Sequence, residues 1–202
     1  MDYTYIDLFC GAGGLSLGFD EAGFENLLAV ELQPAFAKTY RRNFPDHPLL
    51  VEDIREISNE RLLELTAGKT VDVIVGGPPC QGFSIAGNIG RTFLDDERNR
   101  LFKEFVRFVA YLKPKMFVME NVAAMATHLK GKTIAAVEDA FETAGLGYRV
   151  QWQVLNSVHF GVPQERRRLV MVGVRGDLKT TFDYPKAVSY THLRAHETGA
   201  YL

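Results

Sequence analysis

Short apolar runs alternate with amphipathic segments along most of the chain. The runs typical of buried strands are Tyr5 to Phe9, Leu27 to Glu31, Val71 to Val75 and Met116 to Glu120. The segments with helical apolar spacing are Leu15 to Ala22, Ala35 to Asn43, Leu101 to Leu112 and Thr133 to Ala144. Because strands and helices take turns, we expect an α/β fold with a mostly parallel, doubly wound sheet.

Two further apolar runs, Arg149 to Leu155 and Leu169 to Val174, follow one another without an intervening helix. We expect them to pair antiparallel at one edge of the sheet. In the helix over 101–112 apolar side chains recur at helical spacing, which is typical of residues that pack in a core. These side chains are Phe102, Phe105, Val106 and Val109.

The chain has 202 residues, 47% of them hydrophobic, which is enough for one substantial core. We expect one domain over residues 1–185. After Pro185 the apolar periodicity stops, and residues 186–202 are expected to be a non-native or disordered tail. His192 and His196 are four residues apart, but no third ligand has suitable spacing, so we expect no metal site.

The net charge of −2 argues against a surface coated with positive charge for nonspecific nucleic-acid binding. Local basic residues, densest at Arg166-Arg167-Arg168, could still bind phosphates. The two cysteines, Cys10 and Cys80, lie in loops rich in glycine or proline, which makes a disulfide framework implausible. No secretory leader or membrane-spanning run is visible, so we expect a cytoplasmic protein with no membrane association.

A glycine-rich turn, Asp7-Leu8-Phe9-Cys10-Gly11-Ala12-Gly13-Gly14-Leu15, joins the first strand to the first helix. Glycines there let backbone amides approach a ligand, although the spacing differs from the Gly-x-Gly-x-x-Gly pattern of dinucleotide-binding loops. Glu31 closes the second strand, where a carboxylate can accept hydrogen bonds from ribose hydroxyls. Asp53 follows the third expected strand and could meet an adenine amine. Each could equally be a surface carboxylate at a strand end.

A second loop, Gly76-Gly77-Pro78-Pro79-Cys80-Gln81-Gly82-Phe83-Ser84, directly follows the strand Val71 to Val75. The two prolines stiffen the backbone before Cys80, and the glycines permit close approach of a substrate. The loop would hold a thiol at the carboxyl end of the sheet, where open α/β folds bind their ligands. The alternative is that Cys80 is a small buried hydrophobe, which is the usual fate of a free cysteine.

The chain resembles the DNA (cytosine-5-)-methyltransferase family. The family's cofactor loop is similar to residues 7–14 and its nucleophile loop to residues 76–84. Its Glu-Asn-Val signature resembles Glu120-Asn121-Val122, and its Gln-x-Arg-x-Arg signature resembles Gln164-Glu165-Arg166-Arg167-Arg168. The four motifs occur in the family's order over nearly the whole chain to Pro185. The resemblance implies a Rossmann-like methyltransferase fold, S-adenosyl-L-methionine as cofactor, and double-stranded DNA with a flipped-out cytosine as substrate.

The resemblance also implies catalytic roles. Cytosine C5 is a poor nucleophile, and addition of the Cys80 thiolate to C6 would activate it. Glu120, at the carboxyl end of its strand, would donate a proton or hydrogen bond at N3 as electron density moves onto the ring. Arg168 would lie near the cytosine O2, and Arg166 would support the nucleophile and base pocket. Arg167 is left unspecified by the motif.

Binding roles follow from the same resemblance. The cofactor would be bound by Phe9, which would stack on its adenine, and by Gly11, Gly13, Gly14, Leu15, Glu31, Asp53, Ile54, Pro78 and Leu101. The substrate would be contacted by Pro79, whose carbonyl would face the flipped base, and by Gln81, Ser84, Asn121 and Gln164. A target base inside a duplex cannot reach Cys80, so it must be extruded at a cost of a few kcal/mol.

The sequence departs from the family after the Gln-x-Arg-x-Arg signature, because a target-recognition domain and a closing cofactor-binding segment are missing. We therefore expect reduced cofactor affinity, uncertain activity and an exposed face on the isolated chain. Three alternatives stay open: a tRNA cytosine-5 methyltransferase, a binding module that no longer turns over, and a nicotinamide dehydrogenase. The dehydrogenase rests on the glycine-rich loop alone. A restriction endonuclease could accompany the enzyme in a restriction-modification system.

Overall fold

The computed structural model describes residues 3–79 and 99–188. Within these ranges seven strands form one sheet in the order β3-β2-β1-β4-β5-β7-β6. The strands are β1 (Thr4–Leu8), β2 (Glu25–Glu31), β3 (Leu49–Val51), β4 (Val73–Gly76), β5 (Met116–Val122), β6 (Tyr148–Asn156) and β7 (Arg167–Arg175). The expected tail over 186–202 lies outside the described residues from 189 onward.

Strands β1 to β5 pair only in parallel with one another, whereas β7 runs antiparallel between β5 and β6. The expected α/β fold with a mostly parallel sheet and an antiparallel edge is therefore confirmed. The helices are α1 (Gly14–Glu21), α2 (Pro34–Asn43), α3 (Asn59–Leu65), α4 (Arg100–Leu112) and α5 (Lys132–Glu142). The pattern of apolar residues predicted four of them and missed α3, which has seven residues and buries only Leu62.

The two faces of the sheet are covered by different helices. In β1, Tyr5 packs against Phe19 of α1, while Ile6 joins a core cluster on the opposite face with Phe105 of α4. This follows from the alternation of side chains along a strand. The helices therefore lie on both sides of the sheet, as the doubly wound arrangement requires.

The larger core lies between the sheet and helices α4 and α5. The rings of Phe117 and Phe141 stack with centroids 4.0 Å apart, and Phe105 meets both edge-on. Burying one such ring contributes roughly 1.5–3 kcal/mol. The expected core residues Phe102, Phe105 and Val109 are buried, whereas Val106 is only partly buried. The apolar spacing had not included Phe108, which is fully buried.

Candidate active site

Four parallel strands end at the same edge of the sheet. The glycine-rich loop follows β1, Glu31 is the last residue of β2, Gly77 follows β4, and Glu120 lies near the end of β5. In open α/β sheets ligands bind at the carboxyl ends of the strands. The topology thus brings the sequence motifs to one place.

A cavity of about 420 Å³ lies at this edge. Its size falls within the roughly 300–1,000 Å³ typical of small-molecule sites. Six residues predicted to bind a cofactor line it: Phe9, Gly11, Glu31, Asp53, Ile54 and Leu101. Pro79, predicted to contact the base, lines it as well. The other predicted cofactor residues are not among its lining within the described ranges: Gly13, Gly14, Leu15 and Pro78.

The carboxylate of Glu31 is fixed by two backbone amides. Its Oε2 accepts a hydrogen bond from the amide of Gly11 at 2.9 Å, and its Oε1 accepts one from the amide of Gln33 at 2.7 Å. The residue is 7% exposed, so these bonds satisfy an almost buried charge. Each carboxylate oxygen keeps a lone pair that could accept a hydrogen bond from a ligand hydroxyl.

The charge of the cavity argues against a phosphate ligand. In the part of the chain that the structure describes, the lining includes Glu31, Glu52 and Asp53 but no lysine or arginine. Two of these carboxylates form ion pairs, Glu52 with Arg61 at 2.8 Å and Asp53 with Arg55 at 2.5 Å. Such a lining favours a neutral or cationic ligand over a pyrophosphate. The hydrogen bonds from Arg55 also lower the pKa of Asp53 below its ordinary value.

The segment that follows Asp53 is held in place from helix α4. A short 3₁₀ helix begins at Ile54, and the guanidinium of Arg107 reaches across to it. One Nη donates to the carbonyls of Ile57 at 2.8 Å and Ile54 at 3.4 Å, and the other donates to Asn59 Oδ1 at 2.7 Å. Arg107 therefore acts as a clamp on the segment that forms one wall of the cavity.

Phe9, Leu32 and Phe36 contribute to the apolar lining of the cavity. Phe9 lies in the left-handed region at φ 64°, a conformation that costs an L-residue roughly 1–2 kcal/mol. Leu32 and Phe36 line the cavity while 47% and 56% exposed, and the sequence reasoning did not identify them. The sequence offers only a weak signal, two large apolar residues within five positions of the end of β2, because single exposed apolar residues are ordinary on protein surfaces.

Glu120 and two arginines form a charged cluster beside the cavity. Arg168 Nε lies 2.8 Å from Glu120 Oε1, and Arg166 Nη2 lies 3.5 Å from the same oxygen. These residues meet because β7 runs antiparallel to β5, which pairs Val122 with Arg168. The Glu120 side chain is 29% exposed, so the cluster is accessible from outside.

The loop after β4 passes directly beside Glu120. A Cβ atom built on Gly77 would lie 3.3 Å from Glu120 Oε2, closer than most such contacts in proteins. The chain continues from Gly77 toward Cys80, which, with Gln81 and Ser84, lies outside the described residues. A glycine thus lets the predicted nucleophile loop leave the sheet close to the predicted acid.

Asn121 ties the same loop to β5. Its Nδ2 donates to the carbonyl of Pro78 at 3.1 Å, and its Oδ1 accepts from the amide of Val122 at 2.8 Å. Asn121 is 5% exposed. In this structure it positions the loop, and its predicted contact with the substrate stays a prediction.

Gln164 lies in the exposed turn before β7. Its carbonyl accepts a hydrogen bond from Ser157 Oγ at 2.5 Å, and its amide donates to the carbonyl of Val162 at 2.8 Å. Two residues later, the amide of Arg166 donates to Asn156 Oδ1 at 3.1 Å. These bonds fix the turn that presents the arginines. The predicted role of the Gln164 side chain stays a prediction.

Cys10 has the environment of a structural cysteine. It is 7% exposed, and burial raises the pKa of its thiol, with the nearby Asp7 and Glu31 acting in the same direction. A thiol with a raised pKa is a poor nucleophile at neutral pH. The reactive cysteine must therefore be sought elsewhere, and Cys80 is the other cysteine of the chain.

No helix within residues 3–79 and 99–188 is both long enough and apolar enough to cross a bilayer. The same ranges contain no group of three or more His, Cys, Asp or Glu side chains arranged to hold a metal ion.

Comparison with known proteins gives consistent matches. The sequence model described as C-5 cytosine-specific DNA methylase matches residues 3–199. A Type II methyltransferase of Haemophilus parahaemolyticus, M1.HphI, is 55% identical over 94% of this chain and 50% of its own length. A second relative, M.AquIA of Picosynechococcus, is 42% identical over 92% of this chain and 77% of its own length.

Solved structures agree with this fold. A putative DNA modification methyltransferase encoded within an Escherichia coli prophage superposes with a TM-score of 0.78 at 31% identity, over 93% of this chain and 52% of that one. An Entamoeba histolytica methyltransferase, at 18% identity, shares the fold with a TM-score of 0.71 over 94% of this chain and 58% of that one.

The chain spans about half the length of most of these relatives, 50% of M1.HphI and 41% of M.XorII from Xanthomonas oryzae. The resemblance inferred from the four motifs is confirmed, and a nicotinamide dehydrogenase is ruled out as the family. With a family match over nearly its full length and relatives up to 55% identical, the chain belongs to the C-5 cytosine-specific DNA methylase family.

Proposed function

We propose that this chain is the catalytic portion of an enzyme that transfers a methyl group from S-adenosylmethionine to C5 of cytosine in double-stranded DNA. The observation that carries the proposal is the cluster of Glu120 with Arg166 and Arg168. It lies beside Gly77, three residues before Cys80. Family membership and the Type II methyltransferase names of the relatives support DNA as the substrate.

The residues around the cavity fit an adenosyl ligand. Its volume is adequate, its lining is acidic, and Glu31 keeps lone pairs for ribose hydroxyls. Phe9 and Leu101 would contact the adenine, and Asp53 and Ile54 would bind at its edge. When bound, S-adenosylmethionine supplies an electrophilic methyl group. The predicted contacts of Gly13, Gly14, Leu15 and Pro78 with it belong to this proposal.

The protein groups supply the activation of the base. The Cys80 thiolate forms a bond to C6, and the C5–C6 π electrons move toward C5 and N3. Glu120 in its protonated form donates that proton to N3, which neutralises the developing charge, and Arg168 donates hydrogen bonds to O2. After C5 has been methylated, its proton leaves to a water molecule, the electrons re-form the C5–C6 double bond, and the sulfur–C6 bond breaks. The proton on N3 returns to Glu120, which regenerates the acid.

The arginines orient the acid before the base arrives. Arg168 uses Nε for Glu120 and one Nη for the carbonyl of Arg167 at 2.9 Å. A guanidinium has five N–H donors, so further donors remain for a carbonyl oxygen of the base. We infer that the pairing with Arg168 holds the carboxyl group so that it faces the position that N3 will occupy.

Substrate recognition would involve the loops around this cluster. Pro79, Gln81 and Ser84 of the nucleophile loop, together with Asn121 and Gln164, are proposed to contact the extruded cytosine and its backbone. The reduced thiol that Cys80 needs is consistent with a cytoplasmic enzyme. Because the relatives carry the name Type II methyltransferase, we also propose a cognate restriction endonuclease as a partner in the same system.

The decisive experiment traps the covalent intermediate. The chain is incubated at high concentration with S-adenosylmethionine and duplex DNA in which every cytosine is 5-fluorocytosine, because fluorine at C5 blocks the final proton loss. We expect a protein–DNA adduct that resists denaturation and that Cys80→Ala abolishes. The control variant is Cys10→Ala, which removes the other thiol of the chain and should leave the adduct intact.

Two outcomes would contradict the proposal. If the chain binds S-adenosylhomocysteine but forms no adduct with DNA, a binding module is favoured over a transferase. An adduct that forms only with a 5-fluorocytosine-containing tRNA transcript would replace DNA by tRNA as the substrate.

A further inference from the structure

A chain of hydrogen bonds runs beneath the glycine-rich loop. Ser16 Oγ lies 2.6 Å from Asp7 Oδ2 and 2.8 Å from Tyr40 Oη, and Tyr40 Oη lies 2.9 Å from His47 Nδ1. The other ring nitrogen of His47 lies 3.1 Å from Asp20 Oδ2. We call Asp7, Ser16, Tyr40 and His47 the relay. Its first three residues are fully buried, and the His47 side chain is 16% exposed.

The relay needs three hydrogens to complete its hydrogen bonds. Three contacts join its four groups, and each needs one hydrogen. The Ser16 and Tyr40 hydroxyls supply one each. His47 Nε2 must carry a hydrogen to donate to the Asp20 carboxylate, so a hydrogen on Nδ1 as well makes the ring cationic. The third hydrogen is therefore an extra proton, held either by Asp7 or by His47.

The position of that proton sets the direction of the bonds. With the proton on Asp7, each group donates to the next group in the direction of His47. With the proton on His47, each group donates in the direction of Asp7. When neither group holds it, two lone pairs face each other in one contact, which must lengthen. An unmade hydrogen bond in a buried network weakens the whole network.

The relay is attached to the loop through the end of helix α2. Gly13, at φ 93°, packs so closely that a built Cβ would lie 2.2 Å from Phe44 Cε2 and 3.0 Å from Tyr40 Cε2. The last residue of α2, Asn43, also binds the loop backbone, because its Nδ2 donates to the carbonyl of Ala12 at 2.8 Å. A movement of Tyr40 would therefore be transmitted to the glycine-rich loop.

The surroundings of Asp7 favour its retaining a proton near neutrality. Burial raises the pKa of Asp7 to about 7, the Ser16 hydroxyl opposes that rise, and the charge of Glu31 adds to it. The Cys10 thiol and the Tyr40 hydroxyl also face this group. The groups that face His47 are Asp20 of α1, Tyr40 of α2 and the ring of Phe44. Asp20 is in turn fixed by Tyr5 Oη at 2.7 Å.

We propose that Tyr40 and His47 are positioning residues for the cofactor loop, and that one proton shared between Asp7 and His47 keeps the loop in its binding conformation. This inference rests on the proposed binding of an adenosyl ligand in the cavity. Losing the proton opens one contact of the relay and releases the loop. The Kd for the ligand should rise about 3- to 10-fold from pH 6 to pH 9, the factor that corresponds to one buried hydrogen bond.

The test measures binding of S-adenosylhomocysteine to the full chain by calorimetry between pH 6 and pH 9. Asp7→Asn places an amide that donates to Ser16 without a titratable proton, so its affinity should stay at the low-pH value throughout. Tyr40→Phe removes two contacts, so binding should be weak and independent of pH. Tyr111→Phe, on helix α4 at the other face of the sheet, is the matched control and should behave as the wild type.

A second readout follows the proton itself. Calorimetry in two buffers of different ionisation enthalpy should reveal proton uptake on binding at pH 8 by the wild type and none by Asp7→Asn. Affinity that does not change with pH, or a pH dependence that Asp7→Asn retains, would overturn the relay while leaving the proposed function intact. A wild type that binds no S-adenosylhomocysteine at any pH would overturn both.

Discussion

Replacing Arg107 by methionine should loosen one wall of the cavity. The change keeps the aliphatic stem and removes the guanidinium, so the carbonyl of Ile57, the Asn59 amide oxygen and the carboxylate of Glu104 lose a charged donor at 2.6–2.8 Å. Hydrogen bonds to charged groups contribute about 1.5–3 kcal/mol each when buried. The Arg107 side chain is 30% exposed, so water replaces part of that loss.

The net cost should be about 2–4 kcal/mol, or roughly 5–15 °C in Tm for a chain of this size. Urea unfolding followed by circular dichroism gives the free energy. Because Arg107 holds the segment that carries Asp53 and Ile54, the affinity for S-adenosylhomocysteine should also fall, by about 3- to 10-fold.

The matched control is Arg61→Met. Arg61 also pairs with a glutamate, Glu52 at 2.8 Å, but its side chain is 44% exposed. Such a surface pair contributes at most about 1 kcal/mol. If Arg107→Met and Arg61→Met lose the same stability and the same affinity, the clamp assigned to Arg107 does not exist.

Four further substitutions test the site and its surroundings. Gly76→Ala should prevent folding, because its Cβ would lie 2.2 Å from a backbone oxygen of β1. Gly77→Ala should fold but lose adduct formation, because its Cβ would displace the Glu120 carboxylate. Equal proteolytic stability of the two variants would contradict this. Glu31→Gln leaves one of two backbone amides without an acceptor and should weaken ligand binding about 10-fold or more by calorimetry, and unchanged affinity would remove Glu31 from the site. The raised pKa of Asp7, about 7 against 3.8, means that the folded state holds its proton more tightly. Wild-type stability relative to Asp7→Asn should therefore fall by at most about 4 kcal/mol as pH rises from about 4 to about 7 and then level off, and an unfolding series that rises over this range would refute it.

Much of the fold followed from local patterns. The central strands are continuous apolar runs because both faces are covered, and that signal needs no knowledge of partners. Helix α3 gave too little signal, since its seven residues bury one side chain. The insertion of β7 between β5 and β6 is a pairing between distant segments, which no local pattern contains.

The cavity lining was also only partly predictable. The location of Glu31 and Asp53 at the cavity could be predicted because strand ends are visible in the sequence. Leu32 and Phe36 were missed, since an isolated exposed apolar residue is ordinary on a protein surface. The relay could not be predicted at all, because its four residues share no regular spacing and meet only when α1 and α2 pack on the sheet.

The placement of β7 also sets the order in which the residues proposed to carry the chemistry come together during synthesis. The ribosome makes Cys80 and Glu120 well before Arg168, almost fifty residues after the acid. At about 5–20 residues per second, several seconds separate the emergence of Glu120 from that of its arginine partner. Until β7 inserts beside β5, a nascent chain carries the thiol but holds its acid in no fixed orientation. Under the proposed mechanism, Glu120 is therefore oriented only once β7, which comes last in sequence among the described strands, has paired with β5.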